Sequence, residues 1–218
     1  YYSYDKGYTP EFKGIENFNG SIVHPQKWSE EVDYDNKKVV IIGSGATAVT
    51  LVPEIAKKAS KVTMLQRSPT YIVAYPDEDM FSNILKAILP SKLSYALTRF
   101  RNVLVQQWIY TQCRKFPKYM KKFLLNRIRE YLSDDEIRKN FTPSYNPWEQ
   151  RMCLVPNGDF FLSIKENKAS VVTDEISNFT SNSIKLKSGK ELDADLIVTA
   201  TGLNLKLLGG VDLIVDGK

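Results

Sequence analysis

Short β-branched runs and a helix-spaced segment follow one another early in the chain. Apolar runs at 39–42 and 62–65 are typical of buried strands, and the segment between them has helical spacing from about Ala46. A Gly-Ser-Gly turn at 43–45 joins the first run to the helix. The order of strand, Gly-x-Gly-x-x-Ala turn, helix and strand is typical of the βαβ unit that binds a dinucleotide.

The last third of the chain has strand patterning. It predicts a strand at 169–173, a hairpin at 176–180 and 183–187, and a turn at 188–190. A buried strand at 195–199 then runs into a turn of small residues, Ala200, Thr201 and Gly202. Parallel strands end at one edge of a sheet, so we expect this turn to lie close to the bound dinucleotide.

The middle of the chain is helical in pattern. Apolar residues spaced for one helix face extend from Phe81 to about Leu132, and Pro90 and Pro117 divide them into two or three helices. Residues 133–136 predict a further short helix with a capping box. We predict loops at 69–78 and 141–161, and we expect four aromatic side chains of the helical part to lie in a core: Tyr95, Phe100, Trp108 and Tyr110.

The predicted fold class is therefore α/β, a three-layer Rossmann-like domain with a helical insertion and a small β-hairpin region. We expect a linker with short strands at 1–36, the Rossmann domain at 37–205 with its insertion at about 79–145, and at 206–218 a segment that leaves this domain. With 43% apolar residues in 218, the chain can bury such a core.

The glycine turn predicts a phosphate site. Gly43 permits the tight turn, and Gly45 lets a pyrophosphate approach the backbone beside Ser44. The N–H groups near Ala46 and Thr47 would face the phosphates. Small Ala48, in place of the third glycine of the motif, lets the helix pack on the strand.

The end of the second strand indicates which dinucleotide binds. A site for NAD or FAD places Asp or Glu there, where it accepts hydrogen bonds from the ribose hydroxyls. This chain has Gln66, Arg67 and Ser68 instead. A guanidinium with a neighbouring hydroxyl suits a 2′-phosphate, so we predict NADP(H).

Composition excludes several other kinds of site. The single histidine, His24, excludes a multi-histidine metal site, and Cys113 and Cys153 form no Cys-x-x-Cys pair. Reduced thiols fit a cytoplasmic protein. We find neither an apolar run of 18 residues nor a signal-peptide pattern at the start, where the chain begins without Met, so we expect a fragment.

The predicted helices carry an uneven charge. No Asp or Glu lies between Phe81 and Arg129, a stretch that holds eleven cations: Lys86, Lys92, Arg99, Arg101, Arg114, Lys115, Lys118, Lys121, Lys122, Arg127 and Arg129. We interpret the block as a solvated basic face and expect no nucleic-acid partner. Peripheral contact with a membrane or an acidic partner stays open.

Three separated motifs resemble those of the class B flavoprotein monooxygenases, which comprise flavin-containing and Baeyer–Villiger enzymes. The pattern Phe18-x-Gly20-xxx-His24-xxx-Trp28 is similar to the Baeyer–Villiger fingerprint, although Ser29 departs from its usual Pro or Asp. The turn at 43–48 resembles the family's NADPH motif, and 195–202 resembles its Ala-Thr-Gly motif. The stretches 147–151 and 201–205 are most similar to the bacterial ethionamide-activating branch.

This resemblance implies roles for several residues. His24 and Trp28 would be interdomain residues, with His24 coupling domain motion, and Arg67 would be the 2′-phosphate arginine. Arg151 matches the active-site arginine that stabilises a flavin peroxide anion. Many relatives have a Lys before it, where this chain has Gln150.

The resemblance also implies an activity. NADPH would reduce FAD, and a C4a-peroxyflavin would insert one oxygen atom of O₂ into a ketone or a sulfide. The family's FAD-binding glycine motif is not in this chain. FAD would then be bound mainly by a domain absent from this chain, to which 206–218 begins the return, and we expect an inactive fragment. The alternatives are an N- or S-oxygenase of the same superfamily, or a Rossmann scaffold with a basic membrane- or partner-binding block.

Overall fold

The computed structural model of the chain describes residues 1–150 and 152–216. Its strands are β1 Tyr2–Gly7, β2 Ser21–Val23, β3 Lys38–Ile42, β4 Lys61–Gln66, β5 Tyr71–Tyr75, β6 Met152–Pro156, β7 Ala169–Thr173, β8 Ile176–Phe179, β9 Ser183–Leu186, β10 Glu191–Asp193, β11 Leu196–Thr199 and β12 Leu203–Leu205. Its α-helices are α1 Ala46–Ile55, α2 Met80–Ile88, α3 Ser91–Lys115, α4 Pro117–Ile128, α5 Asp134–Asn140 and α6 Asp159–Lys165.

The chain forms two compact units. The first combines Tyr1–Arg67 with the described residues of Asn167–Lys218, and the second is Ser68–Glu166. The second unit therefore stands, in sequence, within the connection between β4 and β7. It spans more of the sequence than the predicted helical insertion at about 79–145, because it also contains β5, β6 and α6.

A five-stranded parallel sheet forms the centre of the first unit, in the order β2-β11-β3-β4-β7. From β3 the chain passes through α1 to β4 on one side, whereas β11 lies on the other side of β3. A reversal of this kind is the switch point at which open α/β sheets bind their ligands. The predicted linker over 1–36, which was expected to contain short strands, includes β2. This strand pairs with β11 at the edge of the sheet.

Both faces of this sheet are covered within the first unit. On one face lies α1, which buries its apolar residues. On the other face lies an antiparallel sheet in the order β10-β9-β8. The two sheets share one buried cluster, to which the parallel sheet contributes Val40, Ile42, Leu65 and Ile197 and the antiparallel one Phe179, Ile184, Leu186 and Leu192. The three-layer α/β class is confirmed, with a β-sheet as one outer layer.

The described residues of the second unit form a two-stranded parallel sheet, β5 with β6, and five helices. The predictions of loops at 69–78 and 141–161 were wrong, because these two short strands pair with each other across a long sequence separation. A cluster of aromatic rings lies in this unit, with centroids 5.4–6.2 Å apart: Tyr131, Phe141, Phe160 and Phe161.

The sequence predicted two or three helices here, and the structure has three, α2, α3 and α4. Ser133 forms the predicted capping box of α5. The expected core position of the aromatic residues on α3 was wrong. Tyr95, Phe100, Trp108 and Tyr110 are 66, 66, 62 and 47% exposed. In α3 only Ser94 and Cys113 are buried. The spacing of its apolar residues therefore indicates a helix but does not show that one face of the helix is buried.

Candidate functional site

The candidate site lies where β3 and β11 end side by side, at the switch point of the sheet. Gly43 has a φ of +127° and donates its N–H to the Leu65 carbonyl oxygen at 2.8 Å. A Cβ at this position would stand 2.3 Å from the Ala200 carbonyl oxygen. Glycine is therefore required twice, for the left-handed turn and for the close approach of the chain leaving β11.

The first turn of α1 forms the next part of the site. Gly45 is the N-cap residue, and because it has no side chain it cannot cap the first N–H groups itself. Ala46 and Thr47 are exposed there, Ser44 is half-buried, and Ala48 is fully buried. A helix N-terminus with exposed residues and no side-chain cap, together with the helix dipole, suits the phosphates of a dinucleotide.

Two adjacent residues at the end of β4 have different surroundings, since Gln66 is buried and Arg67 is exposed. Gln66 is 2% exposed and donates from Nε2 to the Thr173 hydroxyl at 2.9 Å, which links β4 to β7. Arg67 and Ser68 follow directly and are exposed. An exposed guanidinium at the strand end is what a 2′-phosphate contact requires, whereas the Gln66 side chain is held by the neighbouring strand.

The turn after β11 is tied to the first strand of the chain. Gly202 accepts the Tyr8 N–H at 3.1 Å, and the Thr201 hydroxyl donates to the Tyr8 carbonyl oxygen at 2.6 Å. The strands on either side, β1 and β12, pair antiparallel. Asn204 strengthens the pairing by donating to the carbonyl oxygens of Lys6 and Gly7 at 3.0 and 3.2 Å.

His24 connects the same two strands. Its Nδ1 accepts the Gln26 N–H at 3.2 Å, so the proton of the neutral ring is on Nε2, 3.1 Å from the Gly202 carbonyl oxygen. A Cβ at Gly7 would stand 2.0 Å from this ring, so His24 lies directly on the β1 backbone. The contacts of His24 therefore hold backbone in place.

The other fingerprint residues have structural surroundings as well. Phe18 is 8% exposed and meets Phe179 edge-on at 6.4 Å in the core cluster. Gly20 allows close approach of the Asp195 carbonyl oxygen, 2.4 Å from a Cβ built there. Trp28 is half-buried, with its ring 6.0 Å from that of Tyr34.

The first unit thus contains most of the residues predicted to bind a dinucleotide: those of 43–48, Gln66, Arg67 and the turn 200–202. Ser68, which follows Arg67 directly in the chain, is the first residue of the second unit. Arg151, predicted to be the catalytic residue, lies outside the described residues. Sequence reasoning missed Tyr8 and Asn204, whose contacts depend on β1–β12 pairing and leave no local signal. It also missed a Glu175–Lys187 ion pair beyond the ends of β7 and β9.

Known proteins match nearly the whole chain. A family model described as flavin-binding monooxygenase-like covers residues 4–208. The FAD-containing monooxygenase EthA of Mycobacterium tuberculosis is 54% identical over the full chain, which spans 45% of that protein. The probable FAD-binding monooxygenase AlmA of Acinetobacter baylyi is 52% identical, with 44% of its length covered. The chain spans less than half the length of these curated relatives.

Solved structures share its fold. An oxidized steroid monooxygenase bound to NADP superimposes with a TM-score of 0.68 over 90% of this chain and 44% of that one, at 23% identity. The cyclohexanone monooxygenase from Rhodococcus sp. Phi1, bound to NADP⁺, gives a TM-score of 0.66 over 89% of this chain and 44% of that one, at 18% identity. At such low identity the superpositions establish the fold alone.

Proposed function

The chain belongs to the flavin-binding monooxygenase-like family, and from this premise we propose that it is the NADP(H)-binding part of an FAD-dependent monooxygenase. The observation that carries the proposal is the joint placement of Gly43 and Ala200 at the switch point of the sheet, beside the open first turn of α1. FAD is held mainly by a domain outside this chain.

Each part of the site has a role in this proposal. The N–H groups of the α1 first turn bind the pyrophosphate, and Arg67 with Ser68 binds the 2′-phosphate. Gly43 and the turn 200–202 keep the backbone close enough to border the dinucleotide. Arg151 supplies a fixed positive charge for the oxygen chemistry, and FAD supplies the activation of O₂ when bound.

The proposed reaction of the whole protein is the insertion of one oxygen atom into a ketone, as in a Baeyer–Villiger oxidation, or into a sulfide. O₂ provides that atom, and its second atom leaves as water with two electrons from NADPH. Heteroatom oxygenation at nitrogen or sulfur is the alternative. A full-length protein that contains this chain is assayed with ketone and thioether panels. Esters or lactones formed from ketones support the Baeyer–Villiger reaction, whereas oxidation of the thioethers alone supports the alternative.

Cofactor selectivity tests the binding proposal directly. We expect the chain to bind NADPH more tightly than NADH, and Arg67→Ala to remove most of this difference, because in this proposal the guanidinium binds the 2′-phosphate, which NADH lacks. Titration by nucleotide fluorescence measures both affinities. Arg127→Ala, which removes an exposed arginine of α4 and the same charge, is the matched control. Equal affinity of the wild type for both cofactors would reject the 2′-phosphate site.

A second candidate role is supported by the helices of the second unit. Met80, Ile84 and Ile88, four residues apart on α2, are 77, 55 and 69% exposed. On α3 an exposed series continues at helical spacing: Leu93, Leu97, Phe100, Leu104 and Trp108. Cations accompany these residues, so we propose peripheral contact with an anionic membrane surface.

Vesicle sedimentation tests the membrane contact. We expect the chain to sediment with phosphatidylglycerol vesicles and not with phosphatidylcholine vesicles, and Ile84→Asp to abolish sedimentation. Leu154→Asp changes another exposed apolar residue of the same unit and serves as the control. Failure to sediment at low salt rejects the contact. In residues 1–150 and 152–216, no helix is both long and apolar enough to cross a membrane.

A further inference from the structure

Four charged residues follow the ends of strands in the first unit: Arg67 after β4, Asp174 and Glu175 after β7, and Lys187 after β9. Gln66 and Thr173 are the last paired residues of β4 and β7. The Gln66 carbonyl oxygen accepts the Asp174 N–H at 2.9 Å. This bond keeps the segments that follow β4 and β7 together beyond the paired residues. Arg67, after β4, is therefore next to Asp174 and Glu175, after β7. The arginine proposed to bind the 2′-phosphate therefore has acidic neighbours.

Lys187 holds Glu175 in two ways. Its backbone N–H donates to the Glu175 carbonyl oxygen at 2.8 Å, and its Nζ lies 2.6 Å from Glu175 Oε2. The hydrogen bond from Lys187 lowers the pKa of Glu175, and the charges of Lys187 and of Arg67 lower it further. The influence of Arg67 agrees with the strand geometry, which brings Glu175 close to that guanidinium.

Without a paired cation, the Glu175 carboxylate would shift the selectivity of the site from NADP(H) towards NAD(H). In dinucleotide sites, Asp or Glu after the second strand accepts hydrogen bonds from the ribose hydroxyls and favours the cofactor without a 2′-phosphate. Glu175 would also attract Arg67 and repel a phosphate dianion. A cation that pairs with Glu175 reduces both effects.

We propose that Lys187 is a second determinant of NADP selectivity, a positioning residue that pairs with Glu175 and so leaves Arg67 available to the 2′-phosphate. This inference rests on the proposed function and adds a residue pair from the β-hairpin region to its cofactor site. Its consequence is specific: the effect of Lys187 on selectivity requires the Glu175 carboxylate.

A double-mutant cycle tests this dependence. The probes are 2′,5′-ADP and 5′-AMP, which differ only in the 2′-phosphate, titrated into the whole 218-residue chain by calorimetry. We expect Lys187→Met to lower the ratio of the two affinities about threefold to fivefold, the scale of one exposed ion pair. We expect Glu175→Gln to raise the ratio, and the double variant to return it close to the wild-type value.

The hairpin offers a matched control. Lys185 on β9 is also an exposed lysine beside a glutamate, with its Nζ 3.8 Å from Glu191 Oε1. Lys185→Met should leave the ratio unchanged, because Glu191 is not beside Arg67 in the β4–β7 ladder. A fall in the ratio as large as that in Lys187→Met would assign the effect to net charge and overturn the proposal.

The remaining outcomes separate this inference from the proposed function. If the wild type prefers 2′,5′-ADP and Lys187→Met keeps that preference, the role of Lys187 is overturned while NADP binding stands. If Lys187→Met lowers the ratio of the two affinities equally in the Glu175→Gln variant, the pairing with Glu175 is overturned and Lys187 is a direct phosphate contact. If the wild type shows no preference for 2′,5′-ADP, both proposals fail.

Discussion

The imidazole of His24 donates from Nε2 to the carbonyl oxygen of Gly202 at 3.1 Å, across 178 positions of sequence. Gly202 also accepts the Tyr8 N–H, so one carbonyl oxygen receives bonds from two segments near the start of the chain. His24 thus links β1, against whose backbone its ring lies, to the turn that leads into β12. That His24 couples domain motion, as the family resemblance implies, stays a prediction.

Replacing His24 should loosen this connection without removing the dinucleotide site. We expect His24→Ala to lower the free energy of unfolding by about 1–2 kcal/mol, the cost of a lost hydrogen bond and some packing. Exchange of the Tyr8 amide hydrogen should become faster, as measured by hydrogen–deuterium exchange. The Phe179 amide, bonded to Lys13 elsewhere in the unit, is the internal control. An unchanged Tyr8 amide would contradict a bracing role.

The Tyr71 hydroxyl predicts a stability difference in alkali. It donates to the Tyr145 carbonyl oxygen at 2.9 Å, and burial, together with the charges of Tyr145 and Glu149, raises its pKa to about 12. A raised acid pKa disfavours the ionised form in the folded state. Its contribution to stability is therefore complete below pH 10, the ordinary tyrosine value, and is lost as the pH rises from about 10 through 12.

Urea unfolding of Tyr71→Phe beside the wild type measures that contribution. At pH 8 we expect the wild type to be more stable by about 1 kcal/mol, because the variant lacks the hydrogen bond to Tyr145. At pH 11 the advantage should shrink. A difference that stays constant between these two pH values would show that Tyr71 does not titrate late.

Local order in the sequence predicted the dinucleotide unit well. Gly43, Gly45 and Ala48 are close together in the chain, and their requirements of backbone freedom and small size follow from the motif itself. The predicted position of 200–202 at the carboxyl edge of the same sheet also agrees with the structure, because parallel strands end at one edge. That this turn lies close to a dinucleotide stays a prediction. The roles of Gln66 and Arg67 in binding stay predictions, although burial already separates the two residues.

Contacts between distant segments could not be predicted in the same way. β5 pairs with β6 across the whole helical part, and β2 with β11 across most of the chain, so neither register is visible in a local window. On α3, the spacing of Phe100 and Trp108 indicates a helix but carries no information about what covers them. The Glu175–Lys187 pair also arises from hairpin geometry, which brings together residues on either side of β8 and β9.

Ala48 tests whether the third motif position acts through packing. It is fully buried, so Ala48→Leu should force α1 away from the sheet, cost about 1–3 kcal/mol and weaken NADPH binding. Ala48→Gly should retain binding and cost about 1 kcal/mol of helix stability. Glu54→Leu places the same leucine on the exposed side of α1 as the control. Retained binding and stability in Ala48→Leu would contradict close helix–strand packing.

Gly43 allows the sharpest test of the site, because two separate costs meet at one residue. Any side chain there must adopt a φ of +127° and must also displace the Ala200 carbonyl oxygen, 2.3 Å from the added Cβ. Gly189 has a φ of +88° with nothing within 4 Å of an added Cβ, so it carries the backbone cost alone. Gly189→Ala should therefore cost about 1 kcal/mol and leave NADPH binding unchanged.

Gly43→Ala should cost more than this control, by about 1–3 kcal/mol for the overlap with Ala200, and it should abolish measurable NADPH binding. Thermal unfolding gives the stability of both variants, and fluorescence titration at a temperature where both are folded gives the affinity. If Gly43→Ala matches Gly189→Ala in stability and still binds NADPH, the approach of the two strand ends is not what shapes the site. A selective loss in Gly43→Ala alone would assign binding to the meeting of β3 and β11.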